Sequence, residues 1–279
     1  IVELNHEKKY LKLKRGIKSG YLPDQLSIGP GSPYDPSKLE LSTYNFIDSV
    51  LDQTDEYQSL RRLLKKENPK IKGIKKGEKI LKTDNFFEEI PNVISNLDNS
   101  YIYLQGPPGT GKTTQAANAI VELIKKNKKV AITANSHKVI HNLIEKVEDT
   151  AVQKKIKFKG LKAGRENDVD TVYNGKFVTT SSRDTDFIYG VKDKTTFLFG
   201  GTKYHLSNSY YDSKMDYLFI DEAGQISVAD LIVLGQIAKN IVLIGDQNQL
   251  GQPTKGSHPG LSGKSILEFL LGDLETIPQ

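Results

Sequence analysis

One glycine-rich segment has the residue types and spacing that could hold a chain of phosphates. It follows the apolar run 101–104, precedes a helical pattern, and reads Gly106-Pro107-Pro108-Gly109-Thr110-Gly111-Lys112-Thr113. The segment fits the pattern G-x-x-x-x-G-K-[ST] in the strand, loop and helix context that the pattern requires. Its glycines let successive N–H groups and the helix N-terminus face an anion, while Lys112 reaches the β- and γ-phosphates and the Thr113 hydroxyl binds Mg²⁺. Together with Thr114, it predicts a site for ATP and Mg²⁺ rather than a Gly/Pro turn that arose by chance.

Two carboxylates follow another apolar run further along the chain. The run 217–220 ends in Asp221 and Glu222. At the carboxyl edge of a parallel sheet, these side chains would face the ligand crevice, where Asp221 holds Mg²⁺ and Glu222 deprotonates the attacking water. Taken alone, charges at a strand end are better explained by the exit of the chain into solvent. The glycine-rich segment upstream favours the catalytic interpretation.

A polar loop follows the apolar run 241–244 and reads Gly245-Asp246-Gln247-Asn248-Gln249-Leu250. An uncharged Gln at a strand tip can hydrogen-bond both the γ-phosphate and the attacking water, so Gln249 would sense the γ-phosphate. By itself, such a loop is more typical of an ordinary polar connection.

The elements that must position these residues alternate between apolar runs and helical stretches, which is typical of an α/β domain. Near-continuous apolar character predicts a parallel sheet that is covered by helices on both faces. The predicted strands are 101–104, 130–133, 196–199, 217–220 and 241–244. The predicted helices are 111–126, 136–147, 227–238 and 263–271, with Ser136 and Ser227 at N-cap positions. The polar stretch 150–194 is interpreted as an insertion.

Composition limits the classes of protein that this chain can belong to. Its 279 residues carry a net charge of +5, with no Cys and a single Met. No apolar run reaches the roughly 18 residues that a spanning helix needs, which excludes a membrane protein, and the lack of Cys excludes a disulfide scaffold. We expect an intracellular, cytoplasmic protein, because the first residues show no apolar signal segment. The mild positive charge permits a polyanionic partner without requiring one.

The order of these motifs resembles the first RecA-like domain of superfamily 1 helicases. The segment after the second strand, Asn135-Ser136-His137, and the pair Gly201-Thr202 after a later strand look like the family's contacts to the nucleic-acid backbone. The resemblance points to the 5′→3′ branch that includes the nonsense-mediated-decay RNA helicase and the Okazaki-fragment nuclease-helicase. Residues 251–253 and 256–260 resemble a prokaryotic group that carries a fused RecB-like nuclease.

This resemblance implies an organisation and an activity for the chain. Residues 1–34 would be the remnant of an accessory β domain, 35–82 a helical stalk and connector, and 83–279 a RecA-like ATPase domain. The chain would be cut at both ends, and a second RecA-like domain would follow it. The intact protein would be an ATP-dependent helicase or translocase on single-stranded nucleic acid, with DNA favoured over RNA.

The sequence leaves base selectivity and the function open to alternatives. Where the family has a Gln that reads the adenine edge, this chain has residues 86–89, Phe-Phe-Glu-Glu, so base selectivity stays open. A P-loop switch or clamp that binds nucleic acid without translocating is the first alternative, and a nucleic-acid-binding module with a decayed ATPase is the second.

Three tyrosines near the Gly201-Thr202 pair could stack on bases, although packing is the favoured interpretation; they are Tyr204, Tyr210 and Tyr211.

Overall fold

A computed structural model describes residues 3–5, 7–12, 35–75, 77–83, 85–107, 109–246 and 258–272. The chain divides into two compact units, Ile1–Asp35 and Pro36–Gln279. The described part of the first unit is an antiparallel hairpin of β1 (Glu3–Asn5) and β2 (Tyr10–Lys12). Most of the predicted accessory remnant lies outside the described residues, and its assignment stays a prediction.

The second unit is organised around a seven-stranded sheet in which every neighbouring pair of strands is parallel. Its strands run in the order β3-β9-β8-β4-β7-β5-β6. They are β3 (Tyr101–Gln105), β4 (Val130–Thr133), β5 (Lys159–Ala163), β6 (Val178–Ser181), β7 (Thr196–Gly200), β8 (Met215–Ile220) and β9 (Ala238–Gly245). All five strands that the apolar runs predicted are present. The predicted α/β fold with a parallel sheet is therefore confirmed.

Helices precede the sheet, connect most of its successive strands and follow its last strand. They are α1 (Ser37–Leu51), α2 (Gln58–Leu64), α3 (Phe86–Ser95), α4 (Lys112–Lys125), α5 (His137–Gln153), α6 (Asp184–Lys192), α7 (Lys203–Leu206), α8 (Val228–Leu234) and α9 (Ile266–Leu271). Both predicted N-caps are confirmed: Ser136 Oγ accepts a hydrogen bond from Val139 N at 3.3 Å, and Ser227 Oγ accepts one from Asp230 N at 3.1 Å. Within the described ranges, no helix combines the length and apolar character needed to cross a membrane.

Hydrophobic layers on both faces of the sheet hold the second unit together. Along β9, Ile241 and Leu243 pack into one layer, while Val242 and Ile244 pack into the other. The first layer is covered by α2, α8 and α9, and the second by α3, α4 and α5. Each fully buried Leu, Ile or Val stabilises the fold by roughly 1.5–3 kcal/mol relative to exposure. The sheet is therefore a rigid base for the loops at its edge.

Residues 150–194, predicted as an insertion, contribute two strands that the sequence did not predict. Strands β5 and β6 lie beyond β7 and end the sheet on that side. The buried carboxylate of Glu148 on α5 holds the segment that leads into β6, because it accepts hydrogen bonds from the N–H groups of Lys176, Phe177 and Val178 at 2.7–3.1 Å. It also accepts one from the Tyr173 hydroxyl at 2.9 Å.

Replacing Glu148 by Gln is expected to destabilise the fold, because the amide nitrogen would face N–H donors that have lost their acceptor. The cost is about 2 kcal/mol, which lowers Tm by about 4–8 °C in a domain of this size. Thermal unfolding followed by circular dichroism measures the change. Glu145→Gln, at an exposed position on the same helix, is the matched control. Equal Tm values for the two variants would contradict the anchoring role of Glu148.

Candidate nucleotide site and the adjoining polar edge

The carboxyl ends of the parallel strands bring the predicted site residues to one edge of the sheet. Gln105 at the end of β3 pairs in register with Gly245 at the end of β9, and Ile220 at the end of β8 pairs with Leu243. Gly106 N donates a hydrogen bond to Gly245 O at 3.3 Å, so the start of the glycine-rich loop is tied to the tip of β9. Loops that are far apart in sequence are therefore neighbours here, as expected for a ligand crevice in an open parallel sheet.

The glycine-rich loop has the backbone conformation that a phosphate cradle requires. Gly109 and Gly111 both have φ of +82°, in the left-handed region that side chains rarely adopt. Gly111 directly precedes the first residue of α4, so the free N–H groups of that helix open towards the loop. The Thr110 hydroxyl donates to Pro107 O at 2.8 Å and closes the turn. Pro108 lies outside the described residues.

The ammonium group of Lys112 lies inside this loop. Its Nζ donates hydrogen bonds to the carbonyl of Gly106 and, at 2.7 Å, to that of Pro107. Phosphate oxygens are stronger acceptors than these carbonyls and would replace them. Thr113 and Thr114 lie in the first turn of α4, where their hydroxyls make no hydrogen bond to any other described residue. These hydroxyls are thus available to a ligand.

Asp221 is a largely buried carboxylate directly after β8. Its backbone N–H donates to Thr133 O at 2.9 Å, and its Oδ1 accepts a hydrogen bond from Glu222 N at 2.9 Å. Burial raises the pKa of this carboxyl to about 6, an effect that the Glu222 N–H and the charge of Lys112 partly oppose. Within the described residues, Oδ2 accepts no hydrogen bond. The side chain therefore has one oxygen left for a cation.

Glu222 has a backbone conformation that is rare for a residue with a side chain. Its φ is +52°, and it begins the 3-10 turn Ala223–Gln225. Such a conformation costs on the order of 1 kcal/mol. Burial raises the pKa of the Glu222 carboxyl, which favours its use as a proton acceptor.

Two polar groups lie at or beside the tip of β9, Asp246 directly after it and Tyr103 on the neighbouring strand β3, and the sequence pattern predicted a role for neither. Asp246 is buried after Gly245, and the Tyr103 hydroxyl is buried without a hydrogen-bond partner among the described residues. Burial, followed by the charge of Asp246, raises the pKa of Tyr103, so its hydroxyl stays protonated. No sequence pattern marks Tyr103, because it is one more aromatic residue in an apolar strand. Gln249 lies outside the described residues, and its γ-phosphate role stays a prediction.

The residues at this edge fit a magnesium ion chemically. Mg²⁺ prefers hard oxygen ligands, typically one or two protein groups together with phosphate oxygens and waters. The Thr113 hydroxyl and the Asp221 carboxylate are of that type, and burial raises the pKa of Asp221 more than the charge of Lys112 lowers it. A divalent cation would supply that compensation.

The predicted nucleic-acid contacts lie further along the same edge. Asn135 Nδ2 reaches Gln225 Oε1 at 3.4 Å, which links the loop after β4 to the turn after β8. Ser136 is exposed while it caps α5. His137 is half-buried, and its Nδ1 lies 2.8 Å from Lys162 Nζ. Their contacts to a nucleic-acid strand stay predictions.

Gly201 and Thr202 follow β7, next to the loop after β4. Gly201 N donates to Ile132 O at 3.1 Å, and a Cβ at Gly201 would lie 3.0 Å from the His205 ring. Thr202 is the N-cap of α7, and the next residue, Lys203, donates at 2.8 Å to both carboxylate oxygens of Asp230 on α8. The sequence prediction missed this ion pair because it joins residues of two separate elements.

The aromatic residues near this loop mainly pack. Tyr211 is fully buried, and its hydroxyl pairs with His205 Nε2 at 2.9 Å. Tyr210 packs against Tyr211 with ring centroids 4.7 Å apart, whereas Tyr204 is exposed and lies close to the Lys203 ammonium. The packing interpretation is confirmed for Tyr210 and Tyr211. At the position of the family's adenine-reading Gln, Phe86 and Phe87 are exposed.

The parallel sheet, the left-handed glycines before α4 and the carboxylates after β8 together define a nucleotide-binding P-loop domain of the RecA-like type. The chain belongs to the AAA domain family, whose model matches residues 92–259. The resemblance to superfamily 1 helicases is confirmed by the curated relatives of the chain.

Two of these relatives match a similar share of the chain. The RecBCD enzyme subunit RecD of Buchnera aphidicola subsp. Schizaphis graminum is 30% identical over 184 residues, which are 64% of this chain and 26% of that protein. The DNA replication ATP-dependent helicase/nuclease dna2 of Schizosaccharomyces pombe is 27% identical over 176 residues, which are 61% of this chain and 12% of that protein. The chain thus spans about a quarter or less of the length of these relatives.

Among solved structures, the UvsW helicase from bacteriophage T4 is similar at 13% identity. The match has a TM-score of 0.40 and covers 67% of this chain and 58% of that one.

Neutralising Asp221 is expected to stabilise the protein in the absence of nucleotide and Mg²⁺. The folded pKa of about 6 lies above the ordinary value of 3.8, so between these pH values the folded state holds a proton that the unfolded state has released. The free energy of unfolding therefore falls as pH rises from about 4 to about 6. Asp221→Asn removes this loss, which is worth up to about 3 kcal/mol at pH 7.

Thermal unfolding at several pH values measures this effect. The variant should exceed the wild type in Tm at pH 7, and the difference should shrink towards pH 4. Asp149→Asn, at an exposed position on α5, is the control and should show no such trend. A Tm for Asp221→Asn at or below that of the wild type at pH 7 would contradict the cost of burying this charge.

Proposed function

We propose that the intact protein is an ATP-dependent helicase or translocase on single-stranded nucleic acid, and that this chain is its first motor domain. The observation that carries the proposal is the shared sheet edge. The nucleotide groups follow β3, β9 and β8, and the predicted strand contacts follow β4 and β7, which are the next two strands in the sheet. A domain built in this way holds ATP and a nucleic-acid strand side by side, joined by direct contacts.

In the proposed reaction, Lys112 binds the β- and γ-phosphates and balances the charge that develops on the transferred phosphoryl group. Glu222 accepts a proton from the attacking water, and its raised pKa suits that role. Thr113 and Asp221 would hold Mg²⁺, which supplies charge neutralisation when it is bound. Gln249 would hydrogen-bond the γ-phosphate.

The proposed strand contacts position the nucleic acid and carry no sequence information. Asn135, Ser136 and Thr202 offer short polar side chains and His137 offers an imidazole, while Gly201 lies in the same loop as Thr202. DNA is favoured as the substrate because two of the relatives are named as a DNA replication helicase/nuclease and, in Rattus norvegicus, as the DNA-binding protein SMUBP-2. Single-stranded RNA is the competing substrate.

A second RecA-like domain of the same polypeptide would complete the ATP site with arginine side chains. In related NTPases, such groups accelerate hydrolysis by a factor on the order of 10³–10⁵. We also propose a nuclease fused to the motor, on the motif resemblance of residues 251–253 and 256–260. The alternative, a switch or clamp that binds nucleic acid without moving, would hydrolyse ATP without displacing a strand.

The Glu222→Gln variant of the intact protein is expected to bind ATP with unchanged affinity and to lose at least about 100-fold in turnover, because the attacking water loses its proton acceptor. The assay measures phosphate release with and without single-stranded DNA or RNA, together with binding of a fluorescent ATP analogue. Glu145→Gln serves as the control. Turnover retained by Glu222→Gln would remove this residue from the base role. A wild-type protein that neither nucleic acid stimulates would contradict the motor function.

Breaking the Lys203–Asp230 ion pair is expected to weaken the coupling between nucleic acid and ATP hydrolysis. The pair joins α7, after the Gly201-Thr202 loop, to α8, after the Asp221-Glu222 turn. Lys203→Met should lower the stimulation by single-stranded DNA by at least about fivefold and leave the basal rate within about twofold.

Two further variants test the specificity of this effect. Lys214→Met, at an exposed position, should behave like the wild type. Exchanging the two charges, with Lys203→Asp and Asp230→Lys together, should restore part of the stimulation. An equal loss of basal and stimulated rates in Lys203→Met would show that the pair only supports the fold.

A further inference from the structure

Lys162 is a fully buried lysine at the carboxyl end of β5. Its Nζ donates to the carbonyl of Thr171 and lies 2.8 Å from Nδ1 of His137. Among the described residues, no carboxylate forms an ion pair with Lys162. The charge of Asp168 favours the protonated form of Lys162 without such a contact. A buried cation is costly unless it is hydrogen-bonded, so its two neutral acceptors are what make this position tolerable.

This contact determines which nitrogen of the His137 ring carries the proton. An ammonium group has donors and no acceptor, so His137 Nδ1 must be the acceptor in the 2.8 Å contact. In a neutral imidazole with an unprotonated Nδ1, the proton is on Nε2. The Nε2 atom hydrogen-bonds no group within the described structure, and it is thus a single, oriented N–H donor.

The surroundings of His137 keep its ring neutral. It is the first residue of α5, where the helix dipole disfavours a positive charge. Burial, followed by the charge of Lys162, lowers the pKa of His137, and Asp168 only partly opposes this effect. The neighbouring His141, with its ring centroid 6.3 Å away, has a pKa lowered to about 4 and adds no charge near neutral pH.

The His137 ring lies where its Nε2–H donor could contact a nucleic-acid strand. His137 directly follows Asn135 and Ser136 at the carboxyl end of β4, the strand that pairs with β8 on one side and with β7 on the other. Lys162 pairs in register with Gly200 at the end of β7, which immediately precedes Gly201 and Thr202. Lys162 is therefore adjacent to both loops that are proposed to contact a nucleic-acid strand, through its register with Gly200 and its contact with His137.

We infer that Lys162 is a positioning residue for strand binding: it fixes His137 as a neutral imidazole whose Nε2–H donates to a backbone phosphate. The inference rests on the proposed function, because it needs a strand at this edge. Lys162 makes no contact with the nucleic acid in this arrangement and acts through the imidazole. Its buried charge also strengthens the Nε2–H donor by polarising the ring.

Nitrogen NMR of the protein labelled at its histidines reads the tautomer directly. Long-range ¹H–¹⁵N correlation spectra distinguish Nε2–H, Nδ1–H and doubly protonated rings, and His137→Gln identifies the resonances of His137. The expected result is an Nε2–H neutral ring at pH 7 in the wild type and a shift towards a mixture in Lys162→Met. A wild-type ring protonated at Nδ1, alone or together with Nε2, would overturn the inference without any variant at Lys162.

Binding of a fluorescent oligo-dT strand to the intact protein tests the use of the donor. His137→Ala and Lys162→Met should each weaken binding by up to about tenfold, and the double variant should bind no more weakly than His137→Ala alone. Lys155→Met, at an exposed position after the other end of α5, is the charge-matched control and should bind like the wild type. Additive losses in the double variant would overturn the positioning role.

The outcomes separate this inference from the proposed function. If the wild type binds the strand and His137→Ala binds equally well, the phosphate contact is excluded, while the motor function stands. If the wild type binds neither single-stranded DNA nor RNA, the proposed function fails and the inference fails with it, even when the tautomer is Nε2–H.

Discussion

The close backbone contact around Gly245 is the interaction on which the site depends. A Cβ at this position would lie 3.3 Å from Ala223 N and 3.3 Å from the Tyr103 hydroxyl. The carbonyl of the same residue accepts the Gly106 N–H at 3.3 Å. One glycine at the tip of β9 therefore touches both the start of the phosphate loop and the turn that carries the carboxylates. A side chain there would crowd both Ala223 N and the Tyr103 hydroxyl, so one of them would have to shift by a few tenths of an ångström.

Several groups at the edge of the sheet are energetically unfavourable, and the apolar interior of the sheet offsets their free-energy cost. The largely buried carboxylate of Asp221 accepts one hydrogen bond from Glu222 N, and Glu222 itself has a left-handed backbone. The Tyr103 hydroxyl is buried without a partner among the described residues. Buried polar groups of this kind each cost about 1–3 kcal/mol. The apolar layers on both faces of the sheet make this tolerable, and a bound nucleotide with its cation would satisfy several of these groups together.

The parts of this fold that the sequence predicted correctly are those with a local cause. Ser136 and Ser227 cap their helices within three residues of chain, and the glycine-rich loop has its strand, turn and helix in one segment. Strand β5 escaped prediction because it contains Lys159 and Lys162, and a lysine in a short run indicates exposure. Lys162 is buried only because His137 and Thr171 supply acceptors, and the fold alone brings these groups together. The pairs Lys203–Asp230 and Asn135–Gln225 have the same origin.

The strand order explains why the two proposed ligands would influence one another. Strand β8, which ends in the carboxylates, lies between β9 on the nucleotide side and β4 on the side of the proposed strand contacts. The turn after β8 touches the tip of β9 through Gly224 and the loop after β4 through Gln225, and it leads into α8, which is tied to α7 by Asp230. Because the sheet below is closely packed, a change in this turn cannot be absorbed by the core. A shift of Glu222 between nucleotide states would therefore be passed to the loops after β4 and β7, and the same contacts would carry the effect of a bound strand back to the nucleotide.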